Sequence, residues 1–326
     1  MDMIRYMAAL VAAGFLLVST VGHAQDYPAR TISVIVPFAA GGPTDTVTRL
    51  VAQSMARSLK QTVIVENVGG AGGTLGAARV AKAAADGYTL LLHHIGQATA
   101  PALYRKLPSD VLSDFEPIGL VTEVPMTLVT RKDFPARDFQ ELLSHVRRNA
   151  QKVSYGNAGL GSASHLCGML FMSAIQTDLV TVPYKGTGPA MNDLLGGQID
   201  LMCDQTTNTT GPIRSGKIKV YGVTTRSRVS TLPEVPTLSE SGLPGFEVSV
   251  WHALYAPKGT PRLVVDRLVT ALREALRDPL VKSRFAELGT EPVAEARVSP
   301  DTLRSFLKSE VDRWGPIIRK AGVYAD

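Results

Sequence analysis

Most of the residues that could do chemistry sit in three glycine-rich turns. The first is PFAAGGPTD (37–45), the second YGNAGLGSASH (155–165) and the third YKG (184–186). Each follows a short apolar run and precedes a helical pattern. A chain that turns from strand to helix on glycine presents the first N–H groups of that helix. Those groups have no partner inside the helix, and the helix dipole favours an anion beside them. In the first turn Gly41 and Gly42 allow the bend, Pro43 or Thr44 opens the helix, and Thr44 brings a hydroxyl. Asp45 would repel a carboxylate, so it is expected to face away or to hold the loop. Ser162 and Ser164 add hydroxyl donors at the second turn. One such turn is also what a plain strand-to-helix bend looks like. Two of them facing each other suit the gripping of one small carboxylate from both ends.

Other chemistries fail on spacing. No lysine follows either long turn as a phosphate-binding P-loop requires, and GLGSAS places Ser164 where a dinucleotide fingerprint has its third glycine. Ser162 or Ser164 with His165 could suggest a hydrolase, but the G-x-S-x-G elbow is missing and adjacent residues rarely form a working pair. The chain is therefore read as a binding protein and not an enzyme. His93 and His94 lack the paired Cys/His spacing of a metal site, so neither metal nor cofactor is expected. His94 stands at the end of a strand, where it can meet an anion. Asp204 ends another, and Asn157, Gln205 and Thr206 hint at a second polar end of the ligand. Trp251 is read as core more readily than as a cleft wall.

The elements that must position these turns alternate. TISVIV (31–36), TVIVE (62–66) and YTLLLH (88–93) are separated by helical patterns, in the first of which Val47, Leu50, Val51, Met55 and Leu59 recur at three- and four-residue intervals. VSY (153–155), LVTVPY (179–184) and QIDLMC (198–203) repeat the scheme, and IKVYGVT (218–224) and ALYAP (253–257) add strands. The order predicts parallel strands with helices on their faces, and right-handed crossovers put the strand-to-helix loops on one edge. The fold class is α/β, with two such units facing each other across a cleft. The crossings between them are expected near MTLVT (126–130) and LPGFEVSVW (243–251).

Composition narrows the class further. The chain has 326 residues, 34 Lys+Arg against 29 Asp+Glu, and a formal charge of +5. The bases are scattered, without aromatic interleaving, so no nucleic-acid partner is expected. Arg5 followed by the apolar run from Met7 to Val18, with Gly22 and Ala24 behind it, reads as a signal peptide (1–24) cleaved after Ala24. A periplasmic protein is the expectation. Cys167 and Cys203 then permit a disulfide, although two separate buried thiols fit the sequence equally well.

A longer set of segments resembles a known family. VPFAAGGPTDTVTRLVAQ, VENVGGAGGTLGA, SYGNAGLGSASHL, VPYKGTGPAMNDLLGGQIDLMCD and LPEVPTLSESGLPGFE, in that order, are similar to the Bug family, the extracytoplasmic solute receptors of tripartite tricarboxylate transporters. The resemblance implies a two-lobed periplasmic-binding-protein-like fold of type II that closes on its ligand. It implies lobe 1 from residues 25–127 and 248–326 and lobe 2 from residues 128–247. It places the ligand against Phe38, Gly41, Gly42 and Thr44 on one side. On the other stand Asn157, Gly161, Ser162, Ser164 and His165, with Gly186, Asp204 and His94 also in the cleft. Partners would be a small carboxylate and transporter membrane subunits, and the receptor itself a monomer. A signalling role beside a membrane sensor would use the same pocket. Where relatives often have GTSGTHAINP, this chain reads HHIGQATAP, and DQTTN replaces a less polar segment. Both departures touch the pocket.

Overall fold

Short apolar runs make most of the strands, and a glycine-containing turn follows each of the parallel ones except the one ending at Gln205, which passes directly into a helix. The computed structural model describes residues 27–322 and 324; the expected signal peptide and its cleavage after Ala24 lie outside them. Strand β1 (Ile32–Val36) runs parallel to β2 (Val63–Asn67) and β3 (Thr89–His94). Between them lie helices α1 (Pro43–Leu59) and α2 (Thr74–Ala81), and α3 (Gly96–Leu103) follows β3. The second half repeats this with β5 (Ser154–Asn157), α5 (Ala163–Ile175), β6 (Val180–Pro183), α6 (Thr187–Leu195), β7 (Leu201–Gln205), α7 (Thr206–Arg214) and β8 (Ile218–Val223). Strand β5 pairs in parallel with both β6 and β7. Helix α4 (Phe139–Arg148) precedes β5 and is capped by Asp138, whose side chain accepts from Glu141 N–H.

Two antiparallel strands join the halves. β4 (Phe115–Arg131) is 17 residues long, and β9 (Ser249–Pro257) lies beside its first part. β4 pairs with β9 as far as Pro125 and with β7 from Met126 onward, so one strand belongs to both half-sheets. The strand order is β2-β1-β3-β9-β4-β7-β5-β6. A strand of that length was not foreseen, because Pro117 and Pro125 interrupt its apolar pattern.

The remaining helices cover the first half. In α8 (Arg262–Arg277) Leu268, Leu272 and Leu276 recur every fourth residue and are buried in one cluster with Val47, Val51 and Met55 of α1. Helix α9 (Pro279–Glu287) and a short strand β10 (Glu291–Pro292) follow. The last helix, α10 (Pro300–Ala321), carries Glu310, which accepts from the indole N–H of both Trp251 (2.9 Å) and Trp314 (3.0 Å). Trp251 is thus a core residue, and its one polar atom is satisfied.

The crossing between halves is held by one hydroxyl. Thr224 Oγ1 donates to Val248 O (2.6 Å) and accepts from Met126 N–H (3.1 Å), while Thr224 N–H donates to Met126 O (2.9 Å). These contacts tie both chain crossings together in a fully buried spot. Replacing Thr224 by the similarly shaped valine strands a buried N–H and a buried carbonyl. Urea titration of Thr224→Val should show a loss of about 1–3 kcal/mol; an unchanged midpoint would mean that this hydroxyl does not hold the crossing.

Candidate functional site

Four helix N-termini meet at one small cavity between the halves. Gly42, Pro43 and Thr44 open α1; Ser162, Ala163 and Ser164 open α5; Thr187 opens α6; Gln205 caps α7. Phe38, Asp45, His94, Ala158 and Asp204 complete the wall, and no lysine or arginine lines it. The sequence dictates this convergence locally. Each of β1, β5, β6 and β7 ends at the same edge of its half-sheet, and the chain turns there into a helix.

Each loop is braced by side chains of its own turn. Asp45 accepts from Gly41 N–H (3.0 Å), from Asn67 Nδ2 (2.9 Å) and from Arg49 Nε (2.9 Å), so it holds the first turn as expected. The Gly41 amide is thereby taken, which leaves Gly42 and Thr44 as the residues of that turn that face the cavity. Gly41 itself has φ +80, a backbone that glycine adopts without strain. In the second turn Ser162 caps α5 by accepting from His165 N–H (3.2 Å), and Ser164 Oγ accepts from Ala158 N–H (2.9 Å). The two hydroxyl oxygens are 3.1 Å apart. One hydroxyl hydrogen therefore bridges them, and the other remains to be donated into the cavity.

The structure brings Phe38, Gly42, Thr44, His94, Ser162, Ser164 and Asp204 together at the wall. Five other expected residues support the wall instead. Gly41 is bound to Asp45; Asn157 accepts from Gly159 N–H (2.8 Å) and shapes the loop; Gly161 passes beneath Tyr104. His165 turns its Nδ1 toward Gly161 N–H (3.4 Å), and Gly186 presses on Ala39. Burial pushes His165 down to about 4, and no carboxylate orients its ring, so the serine–histidine pair has no catalytic geometry. Thr187 and His252 were missed. Thr187 is the first residue after the YKG turn, so the logic applied to the other turns would have found it. Nothing in the strand SVWHALYAP marks His252.

Three neutral histidines lie behind Phe38. His94 stacks on that ring at 4.6 Å and meets His252 edge-on at 5.9 Å. Burial is the main cause that holds His93, His94 and His252 far below the usual imidazole value, His94 at about 3. Gly96 N–H donates to His94 Nδ1 (2.9 Å), so the ring carries its proton on Nε2 and is a neutral donor there. His252 Nε2 lies 3.3 Å from Thr44 Oγ1. Asp204 is fully buried, and desolvation raises it to about 6 against the pull of donors from Asn208, Gln205 and Thr187. Cys203, one residue before it, is bonded to Cys167 of α5, which joins the α5 turn to the Asp204 corner. Tyr155 adds a second tie, donating to Ser164 O (2.6 Å) and accepting from Cys203 N–H (3.2 Å).

The halves are closed on each other. Ala39 N–H donates to Lys185 O (2.8 Å), Tyr104 to Leu160 O (2.7 Å) and Thr99 Oγ1 to Gly161 O (3.1 Å), each across the gap. The enclosed cavity measures about 20 Å³, room for about one water. A ligand enters only when the halves part. A larger groove of about 370 Å³ near Glu123, Arg228 and Arg297 is open to solvent, and no helix N-terminus converges on it.

Residues 47–323 match the profile of the tripartite tricarboxylate transporter family receptor, TctC. Among solved structures, the periplasmic binding protein BugD is 53% identical with a TM-score of 0.90, covering 91% of this chain and 99% of its own. MatC of Rhodopseudomonas palustris, solved with malate, is 42% identical with a TM-score of 0.87 over 90% and 100%. A third, an R. palustris protein solved with adipate, is 32% identical with a TM-score of 0.87 over 92% and 99%. The two-lobed periplasmic-binding-protein fold expected from the sequence is thus shared.

Two measurements probe this geometry. A Cβ on Gly188, inside α6, would come within 2.8 Å of Ala40 O on the opposite half. Gly188→Ala should therefore leave the unliganded melting temperature unchanged or raise it, because alanine favours the helix by about 0.5–1 kcal/mol. It should also disfavour closure, seen as a larger radius of gyration in small-angle scattering. The second measurement is stability against pH. The depressed histidines contribute stability that is present above about pH 6.5 and lost as the pH falls, whereas Asp204, raised to about 6, is most favourable below pH 4 and loses that benefit as the pH rises. Three histidines outweigh one aspartate, so stability should fall by more than about 1.4 kcal/mol per pH unit between pH 6 and 5. Asp204→Asn should be more stable than the parent at pH 7 and lose stability more steeply on acidification. A flat profile would show that these groups are not buried in the charged-averse state described.

Proposed function

The chain belongs to the tripartite tricarboxylate transporter receptor family, and from that premise we propose that it captures a small carboxylate outside the cytoplasm by closing its two lobes. One observation carries the reading: four helix N-termini converge on a single enclosed cavity that no basic side chain lines. An anion is the ligand that such a cavity accepts. Each terminus in a partly buried setting is worth up to about 2 kcal/mol, so four approach the ~8 kcal/mol of micromolar binding. The carboxylates in the malate- and adipate-bound neighbours support the same class.

In this reading lobe 1 comprises residues 25–127 and 248–326, and lobe 2 residues 128–247. Gly42 and Thr44 hold the anion from lobe 1, and Ser162 and Ser164 from lobe 2. Phe38, His94 and Asp204 shape the rest. Gly41, Asn157, Gly161, His165 and Gly186 set the loops. The protein acts in the periplasm as a monomer, without catalysis, and its closed form is what the membrane subunits of the transporter recognise. Only closure brings both sets of donors to the ligand, so binding shifts the population toward the closed form.

The test is a thermal-shift screen against a carboxylate library with protein first unfolded and refolded to remove co-purified ligand. A ligand at 100 times its dissociation constant should stabilise the fold by about 2.7 kcal/mol. Ser162→Ala combined with Gly42→Val should abolish the shift. If folded protein responds to no carboxylate, the anion reading is wrong.

A further inference from the structure

The cavity is not uniformly suited to an anion. Its donors come from the helix starts, while its acceptors cluster in one corner where β7 ends. There Asp204 is 1% exposed, and Gln205, 4% exposed, has an Oε1 without any hydrogen-bond partner. Asp204 accepts from Asn208 Nδ2 (2.6 Å), from Gln205 N–H (2.9 Å) and from the Thr187 hydroxyl. Those three donors keep it ionised at neutral pH although burial raises it to about 6. A carboxylate has about four acceptor positions, so one remains open, and Gln205, with its unpaired oxygen, lines the same cavity. Unmet buried acceptors are costly, and no basic side chain lines this cavity to meet them. An incoming carboxylate must also coexist with the buried Asp204 charge. A donor on the ligand resolves both conflicts at once.

We propose that the ligand is a carboxylate that also carries a hydrogen-bond donor, a hydroxyl or an ammonium, close to its carboxyl carbon, and that Asp204 and Gln205 accept from that donor. The inference rests on the carboxylate reading of the site and narrows it to hydroxy or amino acids. A plain dicarboxylate of the same length would leave both acceptors unpaired and set its far end against Asp204.

Donor-matched acids separate the possibilities. Titration calorimetry at pH 7.5 would compare succinate, malate and aspartate, then glutarate, 2-hydroxyglutarate and glutamate. The donor-bearing acid of a series should bind at least about tenfold more tightly than the plain one, since a site built to bond a hydroxyl or amine rejects the analogue lacking it. Preference for the hydroxy or the amino member identifies which donor is read. Asp204→Asn should shrink the gap, most for an ammonium ligand, and Gln205→Met should shrink it independently. If a plain dicarboxylate binds as tightly as its donor-bearing counterparts, or if the gap survives both substitutions, this inference falls and the carboxylate reading stands. If no acid binds in either series or in the wider library, the carboxylate reading falls and this inference with it.

Discussion

The backbone N–H groups at the start of a helix must be satisfied by something outside the helix, and in this fold that requirement creates the site. Four helices begin at the same cavity, and the side chains there are small or hydroxylic: Thr44, Ser162, Ser164 and Thr187. They cap and shape without filling the space. Basic side chains are kept off the wall. Asp45 points its carboxylate back to Gly41, Asn67 and Arg49, and the nearby histidines are buried and neutral. The field in the cavity therefore comes from peptide dipoles, opposed by the Asp204 charge and by Asp45, whose carboxylate is paired with Arg49.

Sheet topology explains why the termini converge. Parallel strands with right-handed crossovers put every strand-to-helix turn on one edge, and each half of the molecule has such an edge. Strands β4 and β9, shared along the middle, hold the two edges face to face. The pairing of β4 changes partner at Pro125 and Met126, where Thr224 ties the two crossings. Stiff elements therefore carry the loops, and the change of pairing partner is confined to a short stretch of strand. The contacts made on closure are mainly between backbones. Gly69, Gly186 and Gly188 each lie so near the opposite half that a single Cβ would collide with its main chain. Glycine at these positions is a condition for shutting the cleft, more than for folding either half.

The parts of this arrangement legible in the sequence are those set by local patterns. Most of the apolar runs became strands within one or two residues of their expected limits, although β7 starts three residues later and β9 four residues earlier than expected, and the glycine turns opened helices at Pro43, Ala163 and Thr187. The hidden parts are set by tertiary contacts. TTNTTGPIR is rich in β-branched residues and holds both glycine and proline, yet it forms α7, because its place after β7 overrides a weak propensity. β4 runs through two prolines, which sit where the ladder tolerates a missing donor, one of them at the change of partner. At the site, residue types pointed to the correct loops but not to directions. Gly41 and Asn157 have the right chemistry and use it on their own loops, whereas Thr187 and His252 reach the wall region from elements whose orientation only the fold supplies.

A cavity built on dipoles rather than on lysine or arginine suits a protein that must release what it captures. A buried ion pair is expensive to form and to break, because each charge is stripped of water. Peptide N–H groups divided between the lobes behave differently. α1 contributes from one side, and α5, α6 and α7 from the other. Parting the lobes separates one helix start from the other three in a single motion and returns water to the anion. The affinity of the closed state then depends on the lobe angle, a quantity that a partner protein can change by binding the outer surface. In the selectivity proposed above, the Asp204 corner acts differently: it weakens every anion somewhat and exempts those that bring their own donor. That proposal puts binding strength and discrimination on different elements, the first on the helix starts and the second at the end of β7.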